Sequence, residues 1–150
     1  MNDTLDPARA AGILMEAFSS TFADMAFIDV GPARAKGALI LDPVRAAIDV
    51  LKPVSCRLEI ECPASLKERI EETLVQGEGG NEEDSLLEIL NVAAGVFLTA
   101  YFGPGADIKL ELPQYLFLSE GAEGTVLAEG SADAEGHALR AVLRSIRYRY

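Results

Sequence analysis

Near the start of the chain, apolar residues recur at helical spacing. Asp6 followed by Pro7 is typical of a helix start, with a side-chain cap and then a proline at the first helical position. Apolar residues follow every three or four positions: Leu14, Phe18, Phe22 and Met25. This spacing predicts a first helix over residues 6–26.

The pattern then changes to one typical of β-strands. Two short apolar runs, 38–41 and 47–50, are separated by an Asp-Pro pair and predict strands. From Val54 onward apolar and polar residues alternate, which predicts a half-buried strand that ends at Pro63. Its predicted core-facing residues are Cys56, Leu58, Ile60 and Cys62.

Two further helices are predicted in the middle of the chain. Ser65 begins a capping-box pattern, which predicts a second helix over 65–76. Asn81 is a suitable N-cap for a third helix over 82–102, and the Gly-Pro-Gly sequence at 103–105 ends it.

The last part of the chain predicts strands again. Residues 108–112 alternate and predict a strand that ends at Pro113. From Gly124 the pattern predicts a strand, a turn between Asp133 and Gly136, and another strand. The spacing of apolar residues in this final segment also suits a helix.

This order of elements predicts an α+β fold, with an antiparallel-rich sheet and long helices packed on it. The 150 residues suit a single domain, 1–150, with a substantial core.

Charge excludes one class of partner. The net charge of −11 argues against nucleic-acid binding, because phosphate backbones are bound mainly by clustered Lys and Arg. Four arginines lie in the last eleven residues: Arg140, Arg144, Arg147 and Arg149. We interpret them as the solvated face of a terminal element, with a docking patch as the alternative.

The two cysteines, Cys56 and Cys62, lack the spacing of a redox or zinc motif, and on one strand they would be about 20 Å apart. They are therefore predicted to be free and buried in a reducing compartment. The N-terminal region lacks the pattern of a signal peptide, and the run 92–103 is too short to cross a bilayer. These features predict a cytoplasmic protein that does not bind membranes.

The third helix carries the candidate chemistry. On a helical wheel one narrow sector holds its polar and small residues: Asp84, Glu88, Asn91, Gly95 and Thr99. Apolar residues fill most of the remainder, so the helix is predicted to be buried except for this stripe. Exposure is the less costly arrangement for Glu88, because an unpaired buried carboxylate costs several kcal/mol.

The residue types limit what this stripe can do. The chain has no Ser-His-Asp or Cys-His set, and its single histidine, His137, cannot supply a metal cluster. A carboxamide such as that of Asn91 both donates and accepts hydrogen bonds, which suits it to orient an attacking water in phosphoryl transfer. The pair Glu88 and Asn91 is thus typical of half an active site, which needs a partner that brings the phosphoryl group and the metal.

Four residues give this pattern a family resemblance. Asp84, Glu88, Asn91 and Pro113 match the signature of the CheC/CheX/FliY family: Asp or Ser, three residues, Glu, two residues, Asn, then just over twenty residues and Pro. The chain length and the single copy of the motif resemble CheX. One position differs, because Leu90 stands where relatives often have glycine.

The resemblance implies a protein aspartyl-phosphate phosphatase that acts on phosphorylated CheY-like response regulators. In this family Asn91 would align the hydrolytic water and Glu88 would pair with the lysine of the regulator's active site. The resemblance also implies no cofactor of the chain's own, Mg2+ on the partner regulator, and a homodimer formed by sheet contact.

Structural roles are open at the supporting positions. Asp84 lies in the first helical turn, where the helix dipole favours an acidic side chain, and we favour this role over a catalytic one. Pro113 is interpreted as a strand terminator, and His137 as a turn or surface residue. The main alternative function is a noncatalytic module that binds a response regulator, as flagellar-switch domains do, and a small-molecule sensor is a third.

Overall fold

The computed structural model describes residues 5–34, 40–76, 85–117 and 124–146. In these residues three α-helices pack on one face of a seven-stranded antiparallel sheet. The helices are α1 (Pro7–Thr21), α2 (Ala64–Gln76) and α3 (Ser85–Phe102). The strands are β1 (Val30–Pro32), β2 (Pro43–Lys52), β3 (Cys56–Pro63), β4 (Lys109–Leu110), β5 (Gln114–Leu116), β6 (Val126–Ala134) and β7 (His137–Ser145).

The strand order is β1-β6-β7-β3-β2-β4, and β5 also pairs with β2. Every pairing is antiparallel, so the predicted α+β class with an antiparallel-rich sheet is confirmed. Both β4 and β5 lie along β2, which places them together at one edge of the sheet.

The first predicted helix is confirmed at its start. The Asp6 carboxylate accepts hydrogen bonds from the backbone N–H groups of Ala8, at 3.2 Å, and Arg9, at 3.4 Å. These contacts satisfy two of the donors that every helix N-terminus leaves free. A π-helical turn, Phe22–Ala26, continues α1 to the predicted end.

Of the two strands predicted at 38–41 and 47–50, the second is confirmed. The second run belongs to β2, a single ten-residue strand that pairs with β3 from Pro43 opposite Pro63 to Val50 opposite Cys56. Positions 38 and 39 lie outside the described residues, and the prediction of a strand was wrong for Ile40 and Leu41. Proline lacks an N–H group, so Pro43 is well suited to the first position of β2.

The described part of the final segment forms strands, which decides between the strand and the helix predicted there. The turn between β6 and β7 has positive φ at Glu135 (50°) and Gly136 (96°), as expected for a two-residue hairpin of type I′. On its other side β7 pairs with β3, from Cys56 opposite Ser145 to Glu61 opposite Arg140. Pairing on both edges fixes this segment as an inner strand.

The second helix begins at Ala64, one residue before the predicted start. Ser65 therefore lies in its first turn, and the Ser65 hydroxyl is 3.0 Å from Nδ1 of His137. A second contact joins Arg69 to Glu135 at 3.0 Å. The single histidine thus lies at the β6–β7 turn, as predicted, and contacts α2.

One face of the sheet and the inner sides of the helices form the core. The predicted inward residues of β3 are all buried: Cys56, Leu58, Ile60 and Cys62. The first helix packs against β6 at Gly130, where a β-carbon would lie 2.6 Å from Cγ of Met15. Glycine at this position therefore allows the close approach of α1 to the sheet.

The opposite face of the sheet carries charged residues, and one of them is buried. Glu59 is only 5% exposed and accepts hydrogen bonds from Arg45, at 3.1 Å, and Arg144, at 2.8 Å. The prediction of a solvated arginine face is thus wrong for Arg144, whose side chain is only 11% exposed in this ion-pair cluster. Arg140 agrees better with the predicted solvated face, because its ion pair with Glu129, at 2.6 Å, is exposed.

The other two terminal arginines, Arg147 and Arg149, lie outside the described residues.

The buried cysteines give a prediction about reactivity. Burial raises the pKa of the Cys56 thiol from 9.0 to about 12, and Asp49 adds to this shift. Burial also raises the pKa of Cys62 to about 12, with Glu61 adding to it and Lys67 opposing it. We expect iodoacetamide at pH 8.5 to modify the native protein at least about 100-fold more slowly than the urea-unfolded protein, because the thiolate is the reactive form.

Mass spectrometry over time measures both rates. The raised pKa values also make the free energy of unfolding depend on pH. The contribution of the two thiols is fully present below pH 9 and is lost as the pH rises toward 12, because the thiols ionise first in the unfolded protein. Equal alkylation rates for native and unfolded protein would contradict the buried position of both thiols.

Candidate functional site

The third helix is the central element of the helical layer. It contacts α1, α2 and β2. Its buried apolar residues are Leu86, Ile89, Leu90, Ala93, Ala94, Phe97 and Leu98. Among the described helices it is also the one that is long and apolar enough to cross a membrane, by length and composition alone, and 44% of it is buried in the fold.

Polar contacts fix the C-terminal end of α3 against the start of α1. The Asp6 backbone N–H donates to the Tyr101 hydroxyl at 2.9 Å, and Arg9 donates to the Tyr101 carbonyl at 3.3 Å. The Arg9 guanidinium also lies 4.3 Å from the centre of the Tyr101 ring, within cation–π range. Gly103, with φ of 100°, donates to the Thr99 carbonyl at 2.9 Å and ends the helix as predicted.

The exposed side of α3 carries the two predicted functional residues. Glu88 and Asn91 are both exposed, while Leu86 and Leu90 are buried, so the predicted orientation of the helix is confirmed. Because residues three apart lie one turn from each other on the same helix face, the carboxylate and the carboxamide project together. Leu90, directly before Asn91, packs into the core.

Of the two supporting residues, Asp84 and Pro113, the structure describes only the second. Asp84 lies outside the described residues. Pro113 is half-buried in the segment 111–113 that joins β4 to β5 along the edge of β2. The strand before it ends at Leu110, earlier than predicted. A role for either Asp84 or Pro113 at the site stays a prediction.

The helical wheel missed two exposed apolar residues beside the polar stripe. Val92 is 40% exposed and Val96 is 39% exposed. A groove of about 500 Å³ between α1 and α3 continues this surface. It is lined by Ile13, Glu16, Ala17, Ser20, Val96 and Ala100, among others. On the helical wheel Val92 and Val96 lie next to Glu88, and this position could have predicted their exposure.

The chemistry available on this face is limited to hydrogen bonding and charge. Across the part of the chain that the structure describes, no cluster of three His, Cys, Asp or Glu side chains is arranged to bind a metal ion. Asn91 offers a donor and an acceptor, and Glu88 offers an acceptor with a negative charge. Such a pair can orient a water molecule and contact a cation that another molecule supplies.

Comparisons with known proteins support the fold. No protein-family model and no curated protein sequence matches the chain. Solved structures do match. CheX from Desulfovibrio desulfuricans has 12% sequence identity and a TM-score of 0.69, with 90% of this chain and 97% of that chain covered. CheX from Vibrio vulnificus has 15% identity and a TM-score of 0.69, with coverages of 91% and 98%.

A third similar structure is CheX in a complex with CheY, BeF3 and Mg2+ from Borrelia burgdorferi. It has 14% identity and a TM-score of 0.62, and covers 89% of this chain and 95% of that chain. These similarities extend over nearly the whole of each protein. The chain therefore has the fold of CheX proteins, as the sequence resemblance implied.

Proposed function

We propose that the chain is a phosphatase that hydrolyses the aspartyl phosphate of a CheY-like response regulator. The observation that carries the proposal is the joint exposure of Glu88 and Asn91, one turn apart, on a helix whose opposite side is buried in the core. A rigid support matters for this chemistry, because a small displacement of a positioning group costs much of its effect.

In the proposed reaction Asn91 orients the water that attacks the phosphoryl group. Its side-chain carbonyl accepts a hydrogen bond from the water, and its amide group donates to an oxygen of the phosphoryl group. Hydrolysis of a phosphoryl group depends mainly on such positioning and on stabilisation of charge. The water's oxygen bonds to phosphorus as the bond between phosphorus and the aspartyl oxygen breaks. The regulator's carboxylate is restored, and inorganic phosphate leaves with the protons of the water.

Glu88 acts through its charge. Its exposed carboxylate would contact the lysine of the regulator's active site, which docks the two proteins and fixes the distance of Asn91 from the phosphoryl group. Magnesium in this proposal belongs to the regulator, and no step uses a metal bound by this chain.

Two further parts of the proposal concern assembly and location. Exposed Leu112 and Phe117 lie beside the edge strands β4 and β5, where a second copy could extend the sheet. Homodimerisation by sheet contact and a cytoplasmic location both stay predictions.

The test is a phosphate-release assay. Each CheY-like regulator from the same genome is phosphorylated with a small phosphodonor, freed of excess donor and mixed with catalytic amounts of the protein. We expect the protein to shorten the phosphoryl lifetime of at least one regulator. Binding to these regulators without any shortening of the lifetime would support the noncatalytic module instead.

Replacing Glu88 by glutamine should weaken both binding and hydrolysis, by about 10-fold each, because a charge-assisted contact is lost while the side-chain shape is kept. The affinity of the unaltered protein should also fall more steeply with salt than that of the variant. Titration of a fluorescent regulator at several salt concentrations measures both effects.

Glu129→Gln is the matched control, because Glu129 lies on the opposite face of the sheet and the substitution removes the same charge. The role of Glu88 would be refuted if the two variants lost regulator binding to the same extent.

A further inference from the structure

One aromatic side chain is exposed at a backbone position that does not favour it. Phe27 follows the π-helical turn at the end of α1 and is 78% exposed. Its φ of 56° and ψ of 36° lie in the left-handed region, which is unfavourable for residues other than glycine and most of all for bulky ones. Only two other non-glycine residues of the described chain have a positive φ, Asp42 and Glu135, and neither is apolar.

The backbone conformation at this position has a structural reason, and the aromatic ring has none. The N–H groups of Phe27 and Ile28 both donate to the Phe22 carbonyl, the second at 3.2 Å, which ends the helix in the usual left-handed turn. Ala26 and Ile28, on either side, are each 1% exposed and anchor the turn in the core. Glycine is the usual residue at such a helix end and would leave no apolar side chain in water. An apolar ring at this position is therefore typical of a residue that contacts a partner.

Phe27 lies at the same end of the helical layer as Glu88 and Asn91. The helices α1 and α3 run in opposite directions, because Asp6 at the start of α1 contacts Tyr101 near the end of α3. The end of α1 therefore lies toward the start of α3, and α2 contacts both α3 and the π-helical turn. Packed helices are about 8–10 Å apart, while a standard protein interface covers about 800 Å² of each partner. A regulator whose phosphoryl group reaches Asn91 is thus large enough to contact Phe27 as well.

Carboxylates lie beside Phe27 in the chain and in space. Asp24 precedes it in the π-helical turn and Asp29 follows it, and both are exposed. A third carboxylate, that of Glu135, accepts a hydrogen bond from the backbone N–H of Asp29 at 3.0 Å and pairs with Arg69. A protein that fits this surface presents an apolar pocket bordered by lysine or arginine.

We propose that Phe27 is a specificity-determining residue, which inserts into an apolar pocket with a basic border on one particular response regulator. The phosphoryl group and the lysine that Asn91 and Glu88 contact belong to the reacting centre of any such regulator, so this pair does not distinguish one regulator from another. A contact outside the reacting centre does, and Phe27 supplies it. The inference rests on the proposed function, because the partner is the regulator on which Asn91 acts.

Substitution at position 27 should separate binding from stability. Phe27→Gly removes both the ring and the unfavourable backbone geometry, so we expect the midpoint of thermal unfolding to rise by about 2–4 °C. The same variant should bind the preferred regulator, held in its activated state by beryllofluoride, about 30-fold more weakly. Phe27→Tyr keeps the apolar ring and should bind within about 3-fold of the unaltered protein. A residue needed only for the fold would instead lose stability on substitution by glycine.

The decisive measurement compares several regulators. Calorimetric titration of each beryllofluoride-activated CheY-like regulator from the same genome gives the affinities of the unaltered protein and its variants. With Phe27→Gly only the preferred regulator should lose affinity, so its advantage over the next regulator should fall about 10-fold or more. Val126→Ala is the control, because Val126 is 41% exposed at the start of β6, away from the β6–β7 turn. It should change each affinity by less than about 2-fold.

Kinetics separate recognition from chemistry. In the phosphate-release assay, Phe27→Gly should raise the concentration of the preferred regulator needed for half-maximal rate and leave the maximal rate nearly unchanged. Equal affinity of the unaltered protein for all regulators, or an unchanged affinity ratio in Phe27→Gly, would overturn the inference even if the protein is an active phosphatase. A dimer that dissociates in Phe27→Gly, with regulator affinity unchanged, would overturn it in favour of contact with a second copy. If the unaltered protein binds regulators without hydrolysis, the proposed function fails, and the affinity ratios still decide the role of Phe27.

Discussion

Replacing Asn91 by alanine should lower the rate of regulator dephosphorylation at least about 100-fold, as expected for loss of a group that positions the reacting molecule. Asn91 is exposed, and the buried side of α3 is not altered by the substitution. The stability of the fold and the affinity for the regulator should therefore stay close to those of the unaltered protein. Binding and chemistry would be separated in one variant.

Three measurements on the same variant test this expectation. Phosphate release at saturating regulator gives the maximal rate, titration with beryllofluoride-activated regulator gives the affinity, and urea unfolding gives the stability. Thr99→Ala is a suitable control, because Thr99 is exposed on the same face two turns further along α3. If Asn91→Ala removes regulator phosphate as fast as the unaltered protein does, Asn91 does not orient the water.

Replacing Glu59 by alanine should lower the free energy of unfolding by about 3 kcal/mol, because Arg144 would lose the carboxylate it contacts and Arg45 would keep only its longer contact with Glu61, at 3.7 Å. The side chains of Arg45 and Arg144 are only 16% and 11% exposed. Water can therefore replace the lost carboxylate only in part. The cluster also joins β2, β3 and β7, since each of its three residues belongs to a different strand.

Urea unfolding, with the same dependence on denaturant in each variant, measures this loss. Glu129→Ala is the matched control, because the pair between Glu129 and Arg140 is exposed and should contribute less than about 1 kcal/mol. Equal losses for the two substitutions would mean that burial does not strengthen the cluster around Glu59.

The two expectations concern opposite faces of the molecule. Asn91 lies on the exposed side of the helical layer, and Glu59 on the open face of the sheet. A variant of one should leave the other property intact, because distant sites contribute nearly independently. Together they would separate the residues that act on the regulator from those that stabilise the fold.

The candidate site could be predicted from the sequence because it lies on one helix. The positions of Glu88 and Asn91 relative to each other depend only on the helical period, which is local. The same argument correctly placed Leu86 and Leu90 in the core. The wheel did not predict the exposure of Val96, because exposure at the margin of a stripe depends on how closely α1 approaches.

Strand pairing shows where local patterns were insufficient. The predicted strand at Ile40 and Leu41 was wrong, since an apolar run becomes a strand only if a partner pairs with it. The final segment was ambiguous for the same reason. Its pairing with β3 and β6 decided the outcome.

Sequence pattern alone was sufficient for the α+β class, the cap at Asp6, the alternating face of β3 and the polar stripe of α3, because each follows from the types and spacing of nearby residues. The contact between buried Glu59 and Arg144 depended on the tertiary structure, since the two residues are distant in sequence and meet through strand pairing. The packing of α1 on the sheet likewise decided that a β-carbon at position 130 would collide with Met15, while one at position 95 would meet no atom within 4 Å. The physical reason is that burial and space depend on the elements that pack together, and these are distant in sequence.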